Sequence, residues 1–398
     1  MTIAILLGDP HLGKGTNIGK AGIGANLNSR IADQLTLLDW TLDRAIEYHA
    51  DHIIITGDIF EDPKPHPALI AMFMSWLKRC QVYDINVHII VGNHDILRSG
   101  FIYTSPLDII SEADLEKIHI YKEINTITIG TSAFTFVPYR DRKSFSVSSN
   151  AEAVSMVRDS LVYELASIPS TYQKVLIGHL AIEGSIPVGD EIDDIANELF
   201  CPLNMFQGYD YVWMGHVHKP QVMQKSPYIA HIGSMDISNF LETDQKKFIV
   251  IFDCSSNKHS WTTEQLPTRP LKKLSIIIPK DTDDTTDYVI KELKKVGDWD
   301  RSIVRVDVSL ATPELQSINK SSIEQYLSAQ GAFNVSGISE SKKITLIKKD
   351  DNNTIDTTMD VPTSIKTYAK KYIEGKLQAA FTELAMDIFN EYKLEAKE

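Results

Sequence analysis

Cysteine and long apolar runs are both scarce in this sequence. The 398 residues include three cysteines, Cys80, Cys201 and Cys254, which lie far apart and form no C-x-x-C pair. This excludes a disulfide framework or a cysteine zinc site, and we expect buried, reduced thiols. No window approaches the roughly 20 apolar residues that cross a bilayer, and the opening MTIAILLGDPH lacks the features of a signal peptide. These absences predict a cytoplasmic protein with no membrane association.

Positive charge is also in short supply. The chain has 40 Lys and Arg residues against 53 Asp and Glu residues, a net charge of −13. Such a charge opposes non-specific binding to phosphates, so any action on nucleic acid requires metal ions, a local basic patch or a partner. Otherwise, with 43% hydrophobic and 23% charged residues, the composition is that of a globular protein with two or three domains.

Four segments follow one another along the chain. Residues 1–265 alternate short apolar runs with helix-period stretches, which predicts a layered α/β domain. Residues 271–349 have the pattern strand, helix, strand, helix, strand of a small α+β domain. Residues 350–364 are polar and predict a linker, whereas residues 365–398 have the three-to-four apolar spacing of a helical tail.

Five apolar runs in the first 218 residues end in the same way. Each is a buried strand by length and composition, and each is followed by a glycine and then by Asp, Asn or His. The endings are Gly8-Asp9-Pro10-His11, Gly57-Asp58, Gly92-Asn93-His94-Asp95, Gly178-His179 and Gly215-His216-Val217-His218. Because the carboxyl ends of strands line the ligand crevice of open α/β sheets, we expect these side chains to converge.

The expected cluster combines carboxylates, imidazoles and one amide, without sulfur. Its members are Asp9, His11, Asp58, Asn93, His179, His216 and His218. This mixture suits manganese, iron or zinc, and it has too many ligands for one tetrahedral ion. Two ions about 4 Å apart, bridged by a carboxylate, would suit a phosphoester hydrolase. Each residue alone is better explained by a turn or a surface position, but turns do not explain why imidazole recurs at the same strand ends.

His94 has a different predicted role, because it lies between a candidate ligand and Asp95. Hydrolysis of a phosphodiester requires a proton for the leaving alkoxide, and an imidazole held by a neighbouring carboxylate can supply it. We therefore predict that His94 is the general acid or a charge stabiliser and that Asp95 orients it.

The ordered motifs D-P-H, G-D-I-F, G-N-H-D, G-H and G-H-V-H resemble the signature of calcineurin-like metallophosphoesterases. The resemblance covers residues 1 to about 252 and implies a four-layered α/β/β/α sandwich with a two-metal centre. It implies that Asp58 bridges the two ions. The other implied ligands are Asp9, His11 and His218 for one ion and Asn93, His179 and His216 for the other.

Within that superfamily the chain is similar to SbcD-type nucleases and to phage recombination endonuclease subunits. The similarity rests on Leu12-Gly13, on G-D-I-F-E and on Tyr228–Phe240 followed by Glu242. It implies a manganese-dependent DNA exonuclease and endonuclease of recombination, repair or replication, with magnesium as the other candidate ion. It also implies that residues 271–349 form a capping, DNA-binding domain and that residues 365–398 dock on an SbcC-type coiled-coil ATPase. A homodimer is a further implication, as is the host cytoplasm if the chain is phage-encoded.

Other functions stay open at this point. Gly8 to Thr16 nearly fits the phosphate loop of a nucleotide kinase, but position 15 is Gly where that loop has Ser or Thr. We interpret residues 13–28 as an active-site loop in which Lys14 and Lys20 reach DNA phosphates. The phosphoesterase domain could instead act on nucleotides or phosphoproteins, or serve only as an assembly subunit.

Overall fold

The computed structural model describes residues 2–22, 27–99, 102–188, 196–255, 261–311, 316–342, 361–372, 375 and 377–395. The strands are β1 (Ile3–Leu7), β2 (His52–Ile55), β3 (Asn86–Ile90), β4 (Leu97–Ser99), β5 (Ile102–Thr104), β6 (Ile118–Tyr121), β7 (Asn125–Ile129), β8 (Ser132–Val137), β9 (Gln173–Gly178), β10 (Ala181–Ile182), β11 (Phe200–Cys201), β12 (Tyr211–Met214), β13 (Gln221–Lys225), β14 (Tyr228–His231), β15 (Phe248–Asp253), β16 (Trp261–Gln265), β17 (Leu271–Ile278), β18 (Ile303–Leu310) and β19 (Asn334–Lys342). The helices are α1 (Ser29–Glu47), α2 (Pro67–Val82), α3 (Leu107–Ser111), α4 (Asn150–Ser167), α5 (Thr285–Val296), α6 (Lys320–Ala329), α7 (Val361–Tyr372) and α8 (Gln378–Glu395). They belong to two compact units, residues 1–343 and residues 344–398.

Two six-stranded sheets form the centre of the first unit. Sheet A has the order β16-β15-β1-β2-β3-β6, and sheet B has the order β13-β14-β12-β9-β8-β7. The inner strands β1, β2 and β3 of sheet A are parallel, as are β8, β9, β12 and β14 of sheet B. The carboxyl ends of the parallel strands within each sheet therefore lie at one edge of that sheet.

The parallel strands are apolar throughout because both of their faces are buried. In β1, Ala4 and Leu6 pack between the two sheets, whereas Ile5 and Leu7 pack under the helices α1 and α2. The same alternation in β12 places Trp213 between the sheets and its neighbours against α4. The layers are therefore helix, sheet, sheet and helix, which confirms the predicted α/β/β/α sandwich.

The helices over sheet A begin where their sequences predict. The side chain of Asn28 caps α1 by accepting a hydrogen bond from the backbone N–H of Arg30 at 2.9 Å. Pro67 is the first residue of α2, where its missing N–H costs no hydrogen bond. The two helices are joined through Trp76, whose indole N–H donates to the Leu38 carbonyl oxygen at 2.9 Å.

A small sheet of the order β17-β18-β19 follows in the same unit, and all of its strands are parallel. Helices α5 and α6 connect them, so the elements have the order expected from the sequence. Arg269 ties this region to α1: its guanidinium donates to both carboxylate oxygens of Asp33, at 2.6 and 2.8 Å, and lies 3.9 Å from the Phe333 ring centroid.

The second unit contains two helices where the sequence predicts one helical tail. Helix α7 begins at Val361, inside the predicted linker, and Gly375 lies between α7 and α8. Glycine costs about 1 kcal/mol in a helix interior, which favours a break there. The rings of Tyr368 and Phe381 lie 5.9 Å apart and join the two helices. Residues 350–360 of the predicted linker lie outside the described residues.

The three cysteines are buried and unpaired, as predicted. Among the helices in the described part of the chain, none combines the length and the apolar character needed to span a bilayer.

Candidate metal centre

The seven predicted ligand side chains follow the carboxyl ends of five parallel strands, three in sheet A and two in sheet B. The strands and the residues that follow them are β1 with Asp9 and His11, β2 with Asp58, β3 with Asn93, β9 with His179, and β12 with His216 and His218. All are buried except Asn93, which is half-buried. The structure thus brings all seven together at the edge where the two sheets meet.

Local backbone geometry explains the glycines at these strand ends. A Cβ atom at Gly92 would overlap the Asp58 carboxylate, and one at Gly215 would overlap the Asp9 carboxylate. Asp58 and His216 themselves adopt the left-handed region, with φ of 48° and 73°. Such conformations cost on the order of 1 kcal/mol each for residues other than glycine and concentrate at functional sites.

His11 and His218 form one end of the cluster together with Asp9. Their Nε2 atoms lie 2.9 Å apart, and one donor atom from each of the three residues falls within 4.8 Å of the others. Burial lowers the pKa of both histidines well below the ordinary value, so both imidazoles are neutral. Neutral imidazole is the form that binds a metal ion.

Asn93 is at the centre of the other end. Its Oδ1 atom lies 2.9 Å from Nε2 of His179 and 2.9 Å from Nδ1 of His216. Nδ1 of His179 also lies 2.7 Å from the Thr56 carbonyl oxygen, which accepts a hydrogen bond and fixes the ring.

Asp58 lies between the two ends. Its Oδ2 atom is 3.4 Å from Nε2 of His11 and 3.2 Å from Nε2 of His179. Burial opposes the charged form of His179, but the carboxylates of Asp58 and Asp9 outweigh it and raise the pKa of His179 to about 10. Buried carboxylates here attract a positive charge, which a proton on His179 supplies and a divalent ion could supply instead.

His94 is held beside Asp58 but not by Asp95. Its backbone N–H donates to Oδ1 of Asp58 at 2.9 Å, and its Nδ1 atom lies 2.8 Å from the Glu61 carbonyl oxygen. The carboxylate of Asp95 instead accepts hydrogen bonds from the backbone N–H groups of Ile59, Phe60 and Gly92. The expectation that Asp95 orients His94 is therefore wrong, because Asp95 is engaged in holding together the loops that follow β2 and β3.

The predicted basic residues have different surroundings. Lys14 lies near the cluster, with its Nζ atom 3.1 Å from Oε2 of Glu61, which itself lies 2.8 Å from Nδ1 of His11. Lys20 is exposed, and its Nζ atom lies 4.7 Å from the ring centroid of Phe333 in the small domain.

No role was predicted from the sequence for three residues that lie around the cluster, Glu198, Tyr139 and Thr56. Buried Glu198 lies with Oε1 3.4 Å from Nε2 of His216 and accepts a hydrogen bond from the Tyr139 hydroxyl at 3.2 Å. Thr56 donates from its hydroxyl to Oδ1 of Asp9 at 2.8 Å. Glu198 follows no strand and belongs to no motif, so the strand-ending rule misses it, whereas Thr56 stands directly before the Gly57-Asp58 ending.

The donor set fits divalent metal ions. It consists of nitrogen and oxygen atoms only, which suits manganese, iron, zinc or magnesium. Within the described part of the chain, histidine and carboxylate side chains form three overlapping groups that could hold an ion: Asp9 with His11 and His218, His11 with Asp58 and His94, and Asp9 with Asp58 and His179.

A four-layered sandwich with these donors at its meeting strand ends is the architecture of a metal-dependent phosphoesterase. Residues 3–220 match the family described as calcineurin-like phosphoesterase. Because the match spans more than half of the sequence, the chain belongs to this family, whose members use a dinuclear metal site. The predicted family and enzyme class, a metal-dependent phosphodiesterase, are confirmed.

Three curated proteins illustrate the similarity. The D subunit of the nuclease SbcCD from Staphylococcus saprophyticus is 26% identical over 281 residues, which cover 68% of this chain and 69% of that protein. The DNA double-strand break repair protein Mre11 of Methanopyrus kandleri is 26% identical over 250 residues, 57% of this chain and 51% of that protein. The D subunit of the nuclease SbcCD from Escherichia coli K12 is 20% identical over 247 residues, which cover 58% of this chain and 62% of that protein.

Proposed function

We propose that the chain is a two-metal DNA nuclease that uses manganese and acts as the nuclease subunit of an SbcCD-type complex in the processing of DNA ends. The similarity to proteins named as SbcCD nuclease subunits and as a double-strand break repair protein supports this function. The observation that carries the proposal is the position of the Asp58 carboxylate, within 3.4 Å of an imidazole at each end of the donor cluster.

In this proposal Asp58 would contribute its carboxylate to both ions. Asp9, His11 and His218 would hold the first ion, and Asn93, His179 and His216 would hold the second. Two such ions supply positive charge to the attacking and leaving oxygens of an in-line displacement at phosphorus. Thr56 and the backbone N–H of His216 donate to the two carboxylate oxygens of Asp9, which fixes that ligand in place.

His94 supplies the proton for the leaving oxygen. The Glu61 carbonyl can only accept a hydrogen bond, so the hydrogen on Nδ1 of His94 points to it and Nε2 is the atom that exchanges a proton with substrate. In the protein without metal ions, burial opposes the charged form of His94, but the carboxylates of Asp58 and Glu61 outweigh it and raise the pKa of His94 above its ordinary value. The charged form is the one that donates.

The small domain lies where it can contribute to DNA binding. A cavity of about 440 Å³ is lined by Lys14 and His218 on one side and by Lys273 and Arg305 of the small sheet on another. Cations beside the metal ligands suit phosphates that flank the scissile bond. We propose that residues 271–349 cap the metal centre in this way, with Lys20 as a further DNA contact.

The second unit is proposed to dock on the ATPase partner. Its side chains of Tyr368, Leu377 and Leu384 are 52%, 62% and 63% exposed, which leaves apolar surface available to another chain. Deleting residues 361–398 should preserve residual nuclease activity and abolish co-purification with an SbcC-type ATPase. Unchanged co-purification would remove this docking role. A homodimer through another surface completes the proposed assembly.

Degradation of end-labelled duplex DNA by the purified chain tests the function, with manganese, magnesium or EDTA and with or without the ATPase and ATP. We expect manganese-dependent cleavage that the partner and ATP stimulate. Hydrolysis of bis(p-nitrophenyl) phosphate without any cleavage of DNA would instead indicate a phosphoesterase that acts on nucleotides.

Two substitutions separate the roles of the site residues. His94→Ser should abolish cleavage while two manganese ions still bind, because His94 is not among the proposed ligands. Asp58→Asn should weaken manganese binding itself, measured by isothermal titration calorimetry. Full cleavage by the His94→Ser variant would contradict its role as proton donor.

A further inference from the structure

A buried side chain of α1 holds the turn that carries His11. Gln34 lies in the second turn of this helix and is 1% exposed. Its Oε1 atom accepts a hydrogen bond from the backbone N–H of Gly13 at 2.9 Å. Its Nε2 atom donates to the carbonyl oxygens of His11 and Lys14, each at 3.1 Å. One amide group thus binds three backbone groups within residues 11–14.

The backbone of His11 needs such support because its conformation is unfavourable. Its φ of 44° lies in the left-handed region, which residues with a Cβ atom seldom adopt. The His11 N–H donates to the Asp58 carbonyl oxygen at 2.9 Å, and the Lys14 N–H donates to the His11 carbonyl oxygen at 3.0 Å. The loop after β2 therefore holds one side of this turn, and Gln34 holds the other.

The position of this turn determines where the imidazole of His11 lies. Nε2 of His11 is 2.9 Å from Nε2 of His218 and 3.4 Å from Oδ2 of Asp58, at one end of the ligand cluster. Metal sites hold their ligand atoms to within about 0.2 Å of the preferred distances. A small displacement of the His11 backbone would therefore weaken the binding of an ion at this end.

Helix α1 is itself fixed beside the cluster, so Gln34 is held in place. Arg30 lies one turn before Gln34 on the same face of the helix and is fully buried. Its guanidinium donates to the Asp236 carboxylate at 2.5 Å and to the Ile237 carbonyl oxygen at 2.7 Å. The first turns of α1 are thereby joined to a second loop beside the metal ligands, and the Gln34 amide approaches the His11 turn from a fixed direction.

The contacts of Gln34 require an amide and concern one end of the cluster. The three backbone groups comprise one donor and two acceptors, which a glutamine side chain can serve and a methionine side chain cannot. In the described part of the chain, the hydrogen bonds of the Gln34 amide go to residues 11–14 alone. The ligands proposed for the second ion follow β3, β9 and β12 instead.

We propose that Gln34 is a positioning residue that sets the affinity of the first metal ion through the backbone of His11. This inference rests on the proposed two-metal function and assigns to α1 the support of one ion. Loss of a group that orients a metal ligand typically weakens metal binding about 10- to 100-fold. Without the Gln34 amide, the first ion should bind more weakly by such a factor, whereas the affinity of the second ion should stay the same.

The test compares Gln34→Met with the matched control Gln173→Met in the full chain. Gln173 is also a buried glutamine of the first unit, and its Oε1 atom accepts a hydrogen bond from the Ser132 hydroxyl at 3.0 Å. It is the first residue of β9, whereas His179 follows the last residue of that strand. The control therefore removes a buried amide at the opposite end of a ligand-bearing strand.

Manganese binding is measured by isothermal titration calorimetry and by electron paramagnetic resonance, which distinguishes a coupled pair of manganese ions from a single ion. At limiting manganese, Gln34→Met should show a single bound ion where the wild-type chain and the control show a coupled pair. The manganese concentration for half-maximal hydrolysis of bis(p-nitrophenyl) phosphate should rise about 10- to 100-fold. At saturating manganese the rate should return to that of the wild-type chain, because Gln34 does not touch the reacting groups.

Gln34→Asn repeats the test if Gln34→Met does not fold, since it keeps an amide on a side chain one carbon shorter, and it should weaken the first ion in the same direction. Wild-type affinity for both ions, or equal weakening of both ions, would overturn the role of Gln34. If the wild-type chain binds two manganese ions and cleaves DNA in that case, the nuclease function still stands. If the wild-type chain binds no manganese pair and cleaves no DNA, the proposed function itself is overturned.

Discussion

Removing one partner of the ion pair between Glu242 and Lys247 should be among the most destabilising single substitutions in the first unit. Both side chains are fully buried, and Nζ of Lys247 lies 2.8 Å from Oε2 of Glu242. The ammonium also donates hydrogen bonds to the His218 carbonyl oxygen and to Oε1 of Gln245, each at 2.8 Å. Ser238 also donates to the carboxylate, at 3.0 Å.

Lys247→Met should lower the free energy of unfolding by about 3–5 kcal/mol, because it leaves the Glu242 carboxylate buried without its counter-ion. Glu242→Gln should be similarly costly, since the lysine then lacks its counter-ion. The double variant should lose about 2 kcal/mol less than the sum of the single losses, because it leaves no unpaired charge.

Guanidinium unfolding followed by tryptophan fluorescence measures these losses, since all five tryptophans lie within residues 40–299 of the first unit. Lys291→Met is the control, because that lysine pairs with Asp287 on the exposed surface of α5 and its loss should leave the midpoint unchanged. A loss below about 1 kcal/mol for both single variants, the size of an exposed pair, would refute the reasoning.

Three further changes have defined outcomes. Glu198→Gln should weaken manganese binding about 10- to 100-fold by removing the carboxylate beside His216, and calorimetric titration at wild-type affinity would contradict this. Burial, with the neighbouring histidines, lowers the pKa of His88 to about 2, so the folded state binds no proton there while the unfolded chain does below about pH 6.5. The free energy of unfolding therefore decreases as the pH drops below about 6.5, by about 3 kcal/mol at pH 4.5 for this residue, and His88→Phe should flatten the pH dependence in guanidinium titrations. Arg269→Ala removes both hydrogen bonds to Asp33 and should speed proteolytic cleavage between the sandwich and the small sheet; an unchanged digestion rate would count against this tether.

The sequence predicted the sandwich and the ligand cluster because both depend on a local signal that repeats. A strand buried on both faces is apolar throughout, and a ligand at its end follows a glycine that leaves room for a neighbouring carboxylate, as Gly92 does for Asp58. Asp95 also follows a strand and a glycine, but its carboxylate accepts hydrogen bonds from backbone N–H groups in the loop after β2. The order of side chains in the sequence does not reveal such contacts. Glu198 approaches His216 only through the tertiary fold.

The break between α7 and α8 has a weak local signal, since Gly375 is compatible with a helix at a modest cost. The cavity that Arg98 and Arg142 line was missed for a related reason. Arg98 and Arg142 lie far apart in sequence, at positions with no common spacing, and only the fold collects them around one cavity. Sequence patterns therefore predicted which polar residues follow each strand, whereas the residues that surround the site could be identified only from the three-dimensional structure.

The division of the proposed metal ligands between two sheets has a consequence for the chain during its synthesis. Asp58 leaves the ribosome early, but His179 and His218 emerge more than a hundred residues later. The first half of the chain can form several parallel strands while it still lacks every proposed ligand from sheet B. A growing chain is thus unable to assemble both ends of the cluster, and hydrolytic activity should begin only once the sandwich has closed.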